Sequence, residues 1–173
     1  MLEISRADKV RRTQFLGREF LTWLMYRSAR DEGVLPIPGE AAIQVFFERA
    51  LTLDGDNPAR EMATIKVDDP TDSEEVMVSL RLGKKVSRAR LIVQDQGQEY
   101  TLVLDGTSLS MRNMKLPETA AMDPIENMAE KAGLCARIED LVHSLFVSFM
   151  RIRLDEKAWN EEADGLRSWL GAA

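Results

Sequence analysis

Residues 71–115 read TDSEEVMVSLRLGKKVSRARLIVQDQGQEYTLVLDGTSLSMRNMK, and a change of period inside them decides the fold. Up to Arg81 the spacing is helical, with Val76, Leu80 and, less regularly, Met77 along one apolar edge. Thr71 with Glu74 three residues on fits a capping box, and Ser73 followed by Glu74 and Glu75 places carboxylates where a helix dipole favours them. Gly83 supplies the residue that most easily takes the left-handed conformation ending a helix. From Lys84 the period drops to two. Ser87, Ala89, Leu91 and Val93 alternate with Val86, Arg88, Arg90 and Ile92, which predicts a strand with one small apolar face and one face carrying two arginines. Gly97 within residues 95–98 and the pair Asp105-Gly106 between β-rich runs are turn signals. Three antiparallel strands should therefore follow the helix.

Towards the N-terminus, residues 60–67 alternate as a strand should, and residues 42–53 place Ile43, Val45 and Phe47 opposite Gln44, Phe46 and Glu48. Pro36, Pro38 and Gly39 make the preceding segment a loop. Residues 13–33 carry Leu16, Phe20, Trp23, Leu24 and Arg27 at helical spacing, and Phe15, Leu21 and Met25 widen the apolar surface. Such a helix is covered on two sides, or presents Phe20 and Trp23 to another subunit. Residues 1–12 read as a polar, basic arm. Beyond Lys115, Asp123, Pro124 and Glu126 mark a helix start, and apolar residues from Ile125 to Ile152 keep helical spacing, with Gly133 as the one weak point. Trp159, Ala163, Leu166 and Leu170 share one side of a last helix.

The expected fold is α+β: an antiparallel sheet of about five or six strands, packed with an N-terminal helix, a short central helix and a long C-terminal helix. Residues 13–153 would form that domain and residues 154–173 a helical extension. A length of 173 residues with 45% hydrophobic content suits one globular domain. The net charge of −6 argues against a generally basic nucleic-acid binder. The charge is nonetheless blocked: residues 1–30 hold seven Lys/Arg against three Asp/Glu, residues 31–75 three against twelve, and residues 76–115 seven against three. A polyanion would have to meet the first and third blocks. The single cysteine, Cys135, excludes an intramolecular disulfide and suits a reducing compartment. No apolar run matches a membrane span, and the start of the chain lacks the apolar core of a signal peptide. The expected location is cytoplasmic, with no membrane partner.

Nothing in the chain reads as a catalytic constellation. His143 and Cys135 lie on one predicted helix two turns apart, too far for a thiol–imidazole pair. Asp68, Asp69, Asp72, Glu74 and Glu75 crowd a helix start where two of them have a capping explanation, and no distant acid is identifiable as a metal-binding partner. Phosphate loops, dinucleotide fingerprints and nucleophile elbows are absent. The expectation is a non-enzymatic protein with no metal and no cofactor. Lys84, Lys85, Arg88 and Arg90 within seven residues are the strongest candidate contacts, either as a solvated face beside a helix C-terminus or as a row of phosphate contacts. Arg112 and Lys115 could extend that row, with Glu99 opposing Arg112.

The order of TIKVDD, a helix opening with SEE and closing in GKKV, then SRARLIV, EYTLVLDG, SLSMRNMKLPE and a long apolar helix resembles the C-terminal half of the recombination-associated RdgC proteins. FLGREFLTWL is similar to the segment that introduces this half in some members. The resemblance implies a nucleoid-associated protein that binds double-stranded DNA with little sequence preference and modulates recombination or replication. It implies a homodimer, or a second chain supplying the other half, since the family's proteins are about twice as long. It also makes Lys66 a DNA-contact candidate beside Lys84, Lys85, Arg88 and Arg90, although Val67 replaces the neighbouring polar residue. The alternative is a protein-interaction or oligomerisation module that does not bind DNA.

Overall fold

The computed structural model describes residues 6–55 and 62–171, with side chains from residue 16 onward. Four helices and six strands follow in the order α1 (Arg6–Arg30), β1 (Val34–Leu35), β2 (Ile43–Asp54), β3 (Ala63–Lys66), α2 (Glu74–Arg81), β4 (Lys85–Asp95), β5 (Gln98–Asp105), β6 (Met111–Lys115), α3 (Pro124–Leu154) and α4 (Glu156–Trp169). Every strand pairing is antiparallel. The sheet runs β1-β2-β4-β5-β6, and β3 lies beside the second half of β2. The fold is α+β, as the alternation of periods requires.

One face of this sheet is the core. Val45 pairs with Val93, Phe47 with Leu91 and Leu51 with Ala89, all buried, and Tyr100, Leu102 and Leu104 continue that face across β5. Helix α1 lies over it. Phe20 and Trp23 sit beneath α3 and α4, where Phe20 meets Phe146 edge-on at 5.3 Å and Trp23 meets Phe149 at 5.5 Å between ring centroids. The indole Nε1–H of Trp23 donates to Glu162 of α4 at 2.7 Å, so burial leaves no orphan donor. These two residues are core, not interface: the extra apolar width of α1 is taken up within the chain. The helix also begins earlier than its apolar pattern, at Arg6, so residues 6–12 are helical rather than a loose arm.

Two bulges set which residues reach the core. Glu48, Arg49 and Ala50 together oppose the single residue Arg90, and Arg49 takes φ +51°. Plain alternation after Phe47 would have sent Arg49 inward. The bulge turns it into solvent and returns Leu51 and Leu53 to the buried face. A second irregularity makes Ser87 the extra residue, so Val86 is fully buried instead of sharing the face of Arg88 and Arg90.

Local devices differ from their sequence signals in two places. The helical start after Asp69 is a short 3-10 turn over Pro70–Asp72, capped by the Asp69 side chain, and Ser73 caps α2 without a side-chain hydrogen bond. The Thr71–Glu74 box therefore does not form. Asp105-Gly106 opens a five-residue connection rather than a two-residue turn, because Asp105 Oδ1 accepts from the amides of Thr107 and Ser108 and holds the chain in a wider bend. By contrast Gln96-Gly97, both at positive φ, form the tight hairpin between β4 and β5. Residues 54–58, in which Gly55, Asn57 and Pro58 predict a turn, lie largely outside the described residues. Helix α3 runs unbroken through Gly133, and Asp123 caps it by accepting from the amides of Ile125 and Glu126.

Candidate nucleic-acid interface

Among the described residues, no helix lies over the second face of the sheet. Gln44, Phe46, Thr64, Lys66 and Arg88 are exposed on it, and Thr52, Arg90, Ile92, Thr101 and Val103 are half-buried. Register places its cations in a line. Lys66 of β3 is paired with Ala50 of β2, the bulge holding Ala50 faces Arg90 of β4, Arg90 is paired with Val103 of β5, and Val103 with Arg112 of β6. Lys66, Arg90 and Arg112 thus cross the sheet perpendicular to its strands. At the usual spacing between strands, four steps from β3 to β6 cover about 19 Å. Arg88 lies two residues from Arg90 on the same face, and Lys115 is paired with Thr101 beyond Arg112.

These cations are not equally available. Arg90 Nε lies 2.9 Å from Glu48 Oε2, without the alignment of a hydrogen bond, and Arg88 donates to Asp105 Oδ2 at 3.0 Å. Lys66, Arg112 and Lys115 make no ion pair among the described residues. Glu99, expected to oppose Arg112, is instead paired with Gln94 near the hairpin, because β6 is offset along β5. Three cations are free to meet an anion and two are partly neutralised.

Burial pushes the Asp105 carboxyl upward, but the Thr107 hydroxyl, the Arg88 guanidinium and the amides of Thr107 and Ser108 together outweigh it and hold the group down at about 2. The folded state therefore binds this proton less readily than the unfolded chain. The resulting stability is present above the ordinary value of 3.8 and is lost as pH falls through that value towards about 2. Urea unfolding of the wild type and of Asp105→Asn should differ by about 2 kcal/mol near neutrality. The gap should close on acidification, and a gap independent of pH would show that the carboxylate's charge is not what the loop uses.

Lys84 and Lys85 do not join the line. The β4 strand begins at the helix side of the molecule, where Lys85 Nζ reaches Glu19 of α1 at 3.1 Å and both lysines line a cavity against α4. A single phosphate track through Lys66, Lys84, Lys85, Arg88 and Arg90 is excluded by this placement. Adjacency in sequence concealed it, because the bulge at Ser87 and the turn at Gly83 separate the two pairs.

Among the described residues, no three His, Cys, Asp or Glu side chains are grouped to hold a metal ion. His143 is exposed on α3, and Cys135 is half-buried on the same helix. No described helix is long and apolar enough to cross a membrane. No protein-family model and no curated protein matches the chain.

Proposed function

We propose that the uncovered sheet face is a sequence-independent contact surface for double-stranded DNA, formed by Lys66, Arg88, Arg90, Arg112 and Lys115. The observation carrying this reading is the line of cations that register draws across β3, β2, β4, β5 and β6 on a face that no described helix covers. Flexible basic side chains on a sheet meet phosphates without reading bases, which yields affinity that is strongly salt-dependent and indifferent to sequence. The resemblance to RdgC proteins supports the same ligand. It extends the reading to a nucleoid-associated, non-enzymatic role in recombination or replication, carried out as a dimer or with a second chain.

Replacing Lys66, Arg112 and Lys115 together by alanine removes the three unpaired cations without disturbing a described ion pair. It should weaken binding to a random-sequence duplex by about a hundredfold at low salt, at about 1 kcal/mol per lost contact. Replacing Lys84 and Lys85 should leave that binding within about twofold, since they lie on the other side of the sheet. The reverse pattern would move the DNA contact to the helix side.

A second reading, a protein-interaction module, is favoured by the entry and first turns of α3. Met122, Ile125 and Met128 are 100%, 79% and 71% exposed, and residues 124–133 contribute nothing to the core. An apolar set of this kind on a projecting helix suits a second protein chain. The reading predicts association that salt does not weaken.

A further inference from the structure

On the helix side of the sheet a cavity of about 300 Å³ opens between α1, the Gly83–Lys85 turn and α4. Its wall is aliphatic and aromatic: Leu80, Trp159, Ala163, Leu166 and Leu170. Trp159, Ala163 and Leu166 are only half-buried, so apolar surface that two packed helices would normally bury is left facing the opening. The volume lies at the small end of ligand pockets.

The polar lining is selective. Thr22 has no proton left to offer a carboxylate, because its hydroxyl donates to Arg18 O at 2.8 Å while accepting from Val86 N at 2.9 Å. Glu19 is shared between Lys85 at 3.1 Å and Arg153 at 3.0 Å, and Arg153 in turn lies 4.6 Å over the Trp159 ring. The one carboxylate lining the cavity is thus neutralised twice. Lys84, half-buried on the lining, has no ion pair among the described residues, and Lys85 has used one of its three donors. Arg167, also on the lining, is paired with Asp164 at 2.5 Å on the exposed side of α4. The chemistry left to a ligand is an apolar wall beneath two ammonium groups.

We infer that this cavity binds an aliphatic monocarboxylate, the chain lying along Leu80, Trp159, Leu166 and Leu170 and the carboxylate meeting Lys84 and Lys85. A charge-assisted contact in a half-buried setting selects the acid over a neutral compound of the same length. A neutral cavity of this shape would make no such distinction. The inference does not depend on nucleic-acid binding, since the site lies across the sheet from the cation line.

The test is calorimetric titration of the full chain with decanoate, below its micelle concentration, beside decanol as the neutral match. Decanoate should bind saturably, one per chain, and at least about tenfold more tightly than decanol. Ala163→Phe, which fills the cavity, should abolish binding. Lys84→Glu, a change on a half-exposed side chain outside the core, should weaken decanoate by about tenfold or more and leave decanol unchanged. Equal affinity for acid and alcohol would overturn the inference. So would undiminished binding in Ala163→Phe, or no decanoate binding at all. Should Ala163→Phe fail to fold by circular dichroism, the Lys84→Glu comparison decides alone.

Discussion

Gly17→Ala should destabilise the protein by about 3 kcal/mol, at the upper end of what overpacking costs, although the same change in an open helix stabilises it. A Cβ on Gly17 would lie 2.0 Å from the carbonyl oxygen of Gly106, in the connection between β5 and β6, and 3.2 Å from Leu109 Cδ2. Neither backbone can yield easily. The Gly106 amide donates to Ser87 O at 2.7 Å, and Asp105 fixes the next two residues through their amides. Helix α1 lies so close to this loop that only glycine fits on the helix side. Gly133 provides the matched control: it also lies in a helix interior, but nothing stands within 4 Å of a Cβ built there. Gly133→Ala should therefore stabilise by about 1 kcal/mol through helix propensity. Denaturant unfolding of both variants measures the difference, and a stabilising Gly17→Ala would show that α1 does not lie against the β5–β6 connection.

The second large effect concerns the other end of the sheet. Asp95 closes β4 and is buried, yet it is charged. Arg137 of α3 donates to Asp95 Oδ2 at 2.7 Å and reaches Glu40 Oε2 at 2.6 Å, so one guanidinium pins the long helix to the sheet and to the loop before β2. Those bonds raise the guanidinium's own pKa, Asp95 first and Glu40 second. The other oxygen of Asp95 has no hydrogen-bond partner among the described residues, which leaves Arg137 as its only compensation. Arg137→Ala strands a buried carboxylate and should cost about 3–5 kcal/mol. Asp95→Asn in the same background removes the stranded charge and should restore much of the loss. Tyr100 reports the same change. Burial and the Asp95 charge push its hydroxyl upward while Arg137 pulls it down, so its titration should move higher in Arg137→Ala. Full additivity in this cycle would contradict a coupled buried pair.

The switch from helical to alternating period at Lys84 was enough to separate α2 from the three strands after it, and the alternation of Ala89, Leu91 and Val93 gave the correct buried face of β4. The bulges were not legible. Whether Arg49 or Val86 faces inward depends on a residue inserted against a partner strand, and no local pattern records it. For the same reason Lys84 and Lys85 could not be separated from Arg88 and Arg90 by spacing alone. Phe20 and Trp23 show another limit: a helix apolar on two sides is equally suited to a subunit interface and to burial under its own chain's later helices. Only the arrival of α3 and α4 over α1 decides between them. The cation line on the open face is a property of register. Lys66, Arg90 and Arg112 come from three segments of sequence, and β6 alone, offset against β5, determines that Arg112 rather than Lys115 completes the row.

The most direct measurement is the salt dependence of binding between the full chain and a labelled, random-sequence DNA duplex. If Lys66, Arg112 and Lys115 each displace a counterion and Arg88 and Arg90 contribute in part, the logarithm of the association constant should fall against the logarithm of salt concentration with a slope of about −3 to −4.5. Binding that is absent at low salt, or that persists with a slope near zero, would contradict a phosphate-contacting sheet face.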